Sequence, residues 1–211
     1  VLEIENTHNQ GGGTVYPVER VRALADVSRR CGLHVYLDGA RLLNACVASG
    51  TDARAYAAGA TLASLCLSKG LGAPAGSVLA GPRDLVREAR RLRKRLGGAM
   101  RQVGVLAAAG LYALDHNVAR LAEDHENARA LAAGLGGLPG ARVPHPVESN
   151  IVLAAFAGHR ASDLVPRLRA AGVLCNAAGS RPDLLRFVPH LDVSRADVRE
   201  ALRRIAHTVS A

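Results

Sequence analysis

Along the chain, short apolar runs that end in small or charged residues alternate with segments whose apolar positions recur every three to four residues. Residues 1 to 5 predict a strand that ends in the polar cluster Glu5-Asn6-Thr7-His8-Asn9, with Gly11-Gly12-Gly13 and Tyr16-Pro17 marking a turn. Val18 to Arg30 carries apolar residues at Val18, Val21, Leu24, Ala25 and Val27 and predicts an amphipathic helix, stopped by Gly32. Leu33 to Leu37 predicts a second strand, running into Asp38-Gly39-Ala40-Arg41, and Leu42 to Gly50 a short helix. Tyr56 to Ala60 leads into a third strand, Thr61 to Leu67, which delivers Ser68-Lys69-Gly70 to a loop broken by Gly72, Pro74 and Gly76.

Strand, helix, strand, helix, strand is the pattern of a parallel sheet with crossover helices, and such sheets collect ligand contacts at the carboxyl ends of their strands. Glu5 to His8, Asp38 to Arg41, and Lys69 all fall on that edge. Each has an ordinary reading beside the chemical one. His8 is a loop-organising hydrogen bonder, Asp38 a helix cap paired with Arg41, and Lys69 a turn lysine. A lysine nucleophile needs its amine deprotonated, which partial burial at a strand tip would favour.

Ser77 to Gly81 predicts a further short strand. From Pro82 a basic helix follows, with Leu85, Val86, Ala89, Leu92 and Leu96 recurring among the arginines of Arg83 to Arg95, a solvated face or a subunit contact. Gly97 to Gln102 interrupts it with a flexible turn carrying Arg101, which could be aimed at an anion. Val103 to Leu135 predicts a long alanine-rich helical stretch whose charges, Glu123-Asp124-His125-Glu126-Asn127, decorate the outer face. Gly136 to Gly140 reads as a linker. Beyond it strands at Asn150–Phe156, Gly172–Cys175 and Leu184–Val188 and helices at Ala161–Ala171 and Arg195–Thr208 give α+β character. The division this predicts is 1–136 and 137–211. Arg186, between Leu185 and Phe187, needs a partner or ligand if it points inward and none on an edge strand, and alternation leaves both open.

Composition narrows the functions. A chain of 211 residues buries roughly 70% of the surface its unfolded form would expose, so a full core is possible, and with aromatics at 3% that core is aliphatic. Twenty-seven Lys and Arg against 18 Asp and Glu give a net charge of +9, compatible with anionic ligands; nucleic acid is disfavoured because no aromatic residues interleave the basic ones. Cys31, Cys46, Cys66 and Cys175 are far apart and lack metal-ligand spacing, so they read as buried free thiols of a reducing, cytoplasmic compartment with no metal. No apolar run approaches the ~20 residues of a membrane span. The chain opens on Val1-Leu-Glu-Ile, already strand-like, which reads as a start within a domain.

An aspartate at one strand tip and a lysine at the next, 31 residues apart, suit pyridoxal phosphate. Its aldehyde takes a lysine amine, and its ring nitrogen needs a carboxylate to stay protonated and draw electrons. The segments ENTHN, LDGARLLNA, CLSKGLGAP, LAEDHENAR, SNIV and the closing RF–H–DVSR together resemble the low-specificity L-threonine aldolases, fold-type-I enzymes of that cofactor. The resemblance covers essentially the whole chain. It implies an α/β fold with a mostly parallel sheet in an incomplete large domain, and a small C-terminal α+β domain. Lys69 matches the residue that carries the cofactor, Asp38 the partner of the ring nitrogen, and Arg41 the arginine near the phenolic oxygen. Arg101 matches a residue near the phosphate, usually reaching from a neighbouring subunit, and Arg186 the arginine that takes the substrate carboxylate; His8 lies in a family motif on the substrate side. The resemblance further implies retro-aldol cleavage of a small β-hydroxy-α-amino acid, L-threonine or L-allo-threonine, to glycine and acetaldehyde in a homodimer or homotetramer. Another fold-type-I lyase, β-eliminating or serine hydroxymethyltransferase-like, and a non-catalytic homologue are the alternatives. Family members are longer, the difference preceding Val1. The expectation for the 211-residue chain is therefore weak cofactor binding and little activity.

Overall fold

The structure, a computed structural model, describes residues 1–179 and 181–210. They fall into two compact units. The first comprises Val1–Thr7 and Tyr16–Ala119, the second His8–Val15 and Arg120–Ala211. The described residues thus divide between 119 and 120, with a short excursion at His8–Val15, while the glycines at 136–140 lie within the second unit.

In the first unit, β1 (Leu2–Glu5), α1 (Val18–Arg30), β2 (Val35–Gly39), α2 (Leu42–Ser49), α3 (Ala53–Ala57) and β3 (Leu62–Cys66) follow the predicted alternation. Beyond them come β4 (Ser77–Ala80), α4 (Arg83–Arg95) and α5 (Gly104–His116). The sheet order is β1-β2-β3-β4, with β1, β2 and β3 parallel. Strand β4 runs antiparallel to β3, because residues 67–76 turn the chain back as a loop, too short for the crossover a parallel strand requires. Val35 and Leu37 of β2 are buried on one face, with Val21 and Ala25 of α1 and Tyr56 of α3 also buried, while Tyr36 and Asp38 take the opposite face. Packing is close at Gly59, where a Cβ would stand 2.5 Å from that of Ala25. It thins toward the other edge: β3 is half-buried throughout, β4 is exposed, and α4 buries none of its residues. The expectation of four buried thiols is corrected here: Cys31, just past the end of α1, is exposed, Cys46 and Cys66 are half-buried, and Cys175 is buried.

The long helix expected over Val103 to Leu135 is two helices. Asn117 closes α5, its amide NH bonded to the Ala113 carbonyl while its side chain reaches the Leu71 carbonyl, and α6 (Leu121–Gly136) begins the second unit. There follow β5 (Ala141–Arg142), β6 (Val152–Phe156), α7 (Ala161–Ala170), β7 (Asn176–Ala178), β8 (Arg181–Phe187) and α8 (Arg195–Ser210). The second sheet, ordered β5-β6-β8-β7, is antiparallel throughout. One face carries Val152, Ala154, Phe156, Leu185 and Phe187 into a core with α6, α7 and α8.

Two expectations are corrected in this unit. The strand placed at Gly172–Cys175 lies instead at Asn176–Ala178. Gly172 has φ +79° and Val173 bonds back to Leu168, so residues 172–175 finish the turn after α7, and the chain pairs with β8 only afterwards. The charges of α6 do not all face outward. Asp124, His125 and Asn127 are buried because α6 packs against both β6 and α8, and Asn127 donates to the Val193 carbonyl at 2.9 Å. Alternating charged residues on a helix sandwiched on two sides need not be surface residues.

Candidate active site

Asp38, the last residue but one of β2, lies in register with Glu5 of β1 and Ser64 of β3 on the more open face of the first sheet. Its main-chain carbonyl accepts from Asn6 at 3.0 Å, and one carboxylate oxygen accepts from the Ala40 amide at 2.9 Å. The cap expected of Asp38 is thus a local turn contact; the N-cap of α2 is Arg41. Asn6 fixes the end of β1. It is fully buried, and its side-chain oxygen accepts from the Tyr16 amide at 3.2 Å.

Arg41 is half-buried. Burial lowers its pKa, and the nearby Glu5, Cys66 and Asp38 pull in the opposite direction, so this cation stands among the groups of all three parallel strand tips. Burial raises the Cys66 thiol, but bonding with Ser68 and Ser77 and the charge of Lys69 outweigh it and leave the thiol below its ordinary value. Asp38, Arg41, Cys66 and Lys69 thus form one neighbourhood, Arg41 linked electrostatically to Asp38 and Cys66, and Cys66 to Lys69.

Lys69 stands three residues past the end of β3, and the structure exposes it rather than partly burying it. The loop beneath it is well anchored. Leu67, Leu71 and Ala73 are buried, Leu67 NH bonds the Gly76 carbonyl, and Gly72 NH bonds that of Lys69 at 2.8 Å. Gly110 lets α5 approach, since a Cβ there would lie 2.9 Å from Leu67. The exposed amine thus stands on an anchored loop. Arg101 is exposed in the connection between α4 and α5, apart from this group in the chain.

The remaining two candidates belong to the second unit. His8 opens the His8–Val15 excursion, which it closes by donating its NH to the Thr14 carbonyl and accepting from Gly13, so the loop-organising reading describes its backbone. Arg186 lies in β8 opposite Leu153 of β6 and Asn176 of β7. It shares the face of Leu184, away from the helices, which settles the question its alternation left open. There its Nη2 donates to the Asn9 side-chain oxygen at 2.7 Å. The sequence could flag Asn9 only as part of the cluster ENTHN; its partner lies 177 positions away.

Residues 1–158 match the family model described as beta-eliminating lyase. The chain belongs to this family. It is 42% identical over 200 residues to the low specificity L-threonine aldolase of Escherichia coli (strain K12), covering 95% of this chain and 57% of that one. It is 39% identical over 203 residues to low-specificity L-threonine aldolase 1 of Arabidopsis thaliana, covering 94% and 56%. The chain therefore spans a little over half the length of these relatives. The fold is shared with the Leishmania major threonine aldolase structure, at a TM-score of 0.77 and 20% identity over 98% of this chain and 60% of that one.

Proposed function

We propose that this chain carries the lysine end of a pyridoxal-phosphate-dependent active site whose reaction is the retro-aldol cleavage of L-threonine or L-allo-threonine. The observation that supports it most is the neighbourhood of Asp38, Arg41 and Lys69 at the carboxyl ends of adjacent parallel strands. That donor set suits the cofactor: an exposed amine for its aldehyde, a carboxylate on the open sheet face for its ring nitrogen, and a half-buried cation beside it. The 42% identity to a named threonine aldolase supports the substrate class.

Bound there, the cofactor supplies a sink for the electron pair released when the bond between the α and β carbons breaks. Lys69 holds the cofactor by its amine, and Asp38 keeps the proton on the ring nitrogen. Arg41 supplies positive charge beside the same edge. Arg186 takes the substrate carboxylate by its planar fork, and His8 serves the substrate side. Arg101, exposed in its turn, serves the phosphate of a neighbouring subunit in a homodimer or homotetramer. The two units correspond to a large cofactor-carrying domain and a small C-terminal domain, and the setting is cytoplasmic, in keeping with four free cysteines. Among the described residues no helix is long and apolar enough to cross a membrane.

The test is reduction of the purified chain with borohydride in the presence of pyridoxal phosphate, then peptide mapping, alongside acetaldehyde release from L-threonine. A pyridoxyl label on Lys69, lost in Lys69→Ala, is the expected result; a label shared equally with Lys94, the one other lysine of the sequence, would overturn the reading. Because the matching family model is that of the beta-eliminating lyases, β-elimination is the second reading. A panel of threonine, allo-threonine, phenylserine and cysteine separates the two, since pyruvate from cysteine marks elimination.

A further inference from the structure

Arg186 occupies a largely apolar face of the second sheet, with Leu184 on its own strand, Leu153, Ala155 and Ala178 on the neighbours and Ile151 just before β6; the polar Asn176 of β7 pairs with it at the exposed side. A guanidinium in such a place keeps its charge only where polar groups solvate it. The His8–Val15 segment brings one. Its turn is closed by the bonds from His8 to Thr14, Gly13 to His8 and Gly12 to Asn9, and it is tied to the unit by two more. Ser149 Oγ donates to the Gly13 carbonyl at 2.6 Å, and the Val15 NH donates to the Glu148 carboxylate at 2.7 Å. The glycines let it lie flat on the sheet: a Cβ on Gly12 would stand 3.3 Å from Leu153, and one on Gly13 3.0 Å from Ile151. Asn9 is therefore presented from a fixed backbone, and its side-chain oxygen accepts from Arg186 Nη2 at 2.7 Å.

We propose that Asn9 is a positioning residue, which orients the Arg186 fork for a carboxylate and, being neutral, adds no charge of its own to compete for it. The proposal rests on the reading of Arg186 as the group that takes the substrate carboxylate. A guanidinium has five N–H donors in one plane, so a single bond at Nη2 sets the direction of the rest, and a carboxylate accepts from two of them side by side. An aspartate in place of Asn9 would accept the same bond with a full negative charge and occupy the cation that the substrate needs. The amide is the partner that orients without neutralising.

The test follows the Arg186 guanidinium signals by NMR in the purified chain, assigned by their absence from Arg186→Lys. Rotation about the guanidinium bonds should be slow in the wild type and faster in Asn9→Ala; unchanged rotation would overturn the positioning role whether or not any ligand binds. L-threonine should shift the Nε–H signal saturably, and 1-aminopropan-2-ol, which keeps the amine and hydroxyl but lacks the carboxylate, should not. A wild-type signal indifferent to L-threonine would overturn the carboxylate reading of Arg186 itself. With that shift present, Asn9→Asp should weaken threonine binding about a hundredfold. Asn9→Ala, which also serves should the aspartate variant not fold, should weaken it about tenfold. Wild-type affinity in both would overturn the proposal and leave Arg186 standing.

Discussion

The two sheets of this protein are built to different standards of burial. Every residue of β6 in the second sheet is buried, and Leu185 beside it is 0% exposed, packed against three helices. In the first sheet, β3 is half-buried at every position, Leu79 of β4 is 37% exposed, and Leu92 of α4 is 42% exposed. The amine and carboxylate of the candidate active site lie on the less buried sheet, and the arginine assigned to the substrate lies on the deeply packed one. Burial and local stability run together, so the second unit should be the more resistant to unfolding, and the first should open at lower cost.

The largest test of that contrast is a pair of truncations. Leu185→Ala should cost about 2–5 kcal/mol, because the cavity it leaves is enclosed on all sides. Leu79→Ala should cost under about 1 kcal/mol, since much of its side chain already meets water. Urea midpoints measure both, and equal losses would mean that the two sheets do not differ in the way their burial indicates. Next comes Asp38→Asn, which leaves the shape of the strand tip intact and removes its charge. It should lower whatever slow aldol cleavage the 211-residue chain sustains about 10²–10³-fold, as losing a preorganised electrostatic partner does, with the label on Lys69 retained. A drop in folding stability of similar size would instead make Asp38 a structural residue.

The first unit was legible from periodicity because each of its parallel strands ends in a charged or glycine-rich motif, and Asp38, Arg41 and Lys69 do fall along the predicted edge. What escaped was whatever depended on distant partners. Arg186 could not be oriented without Asn9, 177 residues earlier, and Asp124 and His125 read as surface charges until β6 and α8 were seen to enclose α6. The antiparallel β4 was hidden for a different reason: a short apolar run carries no sign of its direction. The loop of residues 67–76, too short for a crossover, was the available clue.

His125 offers a third and somewhat smaller test, confined to the deeply packed unit. Burial, then the charge of Arg129, pushes its imidazole down to about 4. The unfolded chain binds a proton near pH 6.5 and the folded one only near 4, so the second unit keeps its full stability above the first value. Stability should fall as pH drops from 6.5 toward 4, by at most about 3 kcal/mol, and level off below. His125→Leu should remove that slope. Should the slope persist in the variant, other groups carry it.

The smallest expected effect probes the first unit where its two chemical strands meet. Gly39, in register with Leu65 at the end of β2, is buried; a Cβ there would collide with the main-chain oxygen of Ser64 and stand 3.0 Å from the Cβ of Leu42. Its φ is not in the left-handed region, so the glycine is needed for space rather than for conformation. A main-chain oxygen held in a strand cannot swing aside, so Gly39→Ala must widen β2 from β3, at about 1–3 kcal/mol. The wedge enters beside Asp38, on the path between it and the loop of Lys69. Amides of β2 and β3 should therefore exchange faster while those of β6 keep their protection, and labelling of Lys69 should weaken with them. Gly104→Ala, in α5 with nothing within 4 Å of the added carbon, is the matching control. It should leave exchange unchanged or stabilise the helix by about 0.5–1 kcal/mol. Equal protection of β2 and β6 in Gly39→Ala would show that the first sheet absorbs the wedge as firmly as the second would, and the contrast between the two units would not extend to their rigidity.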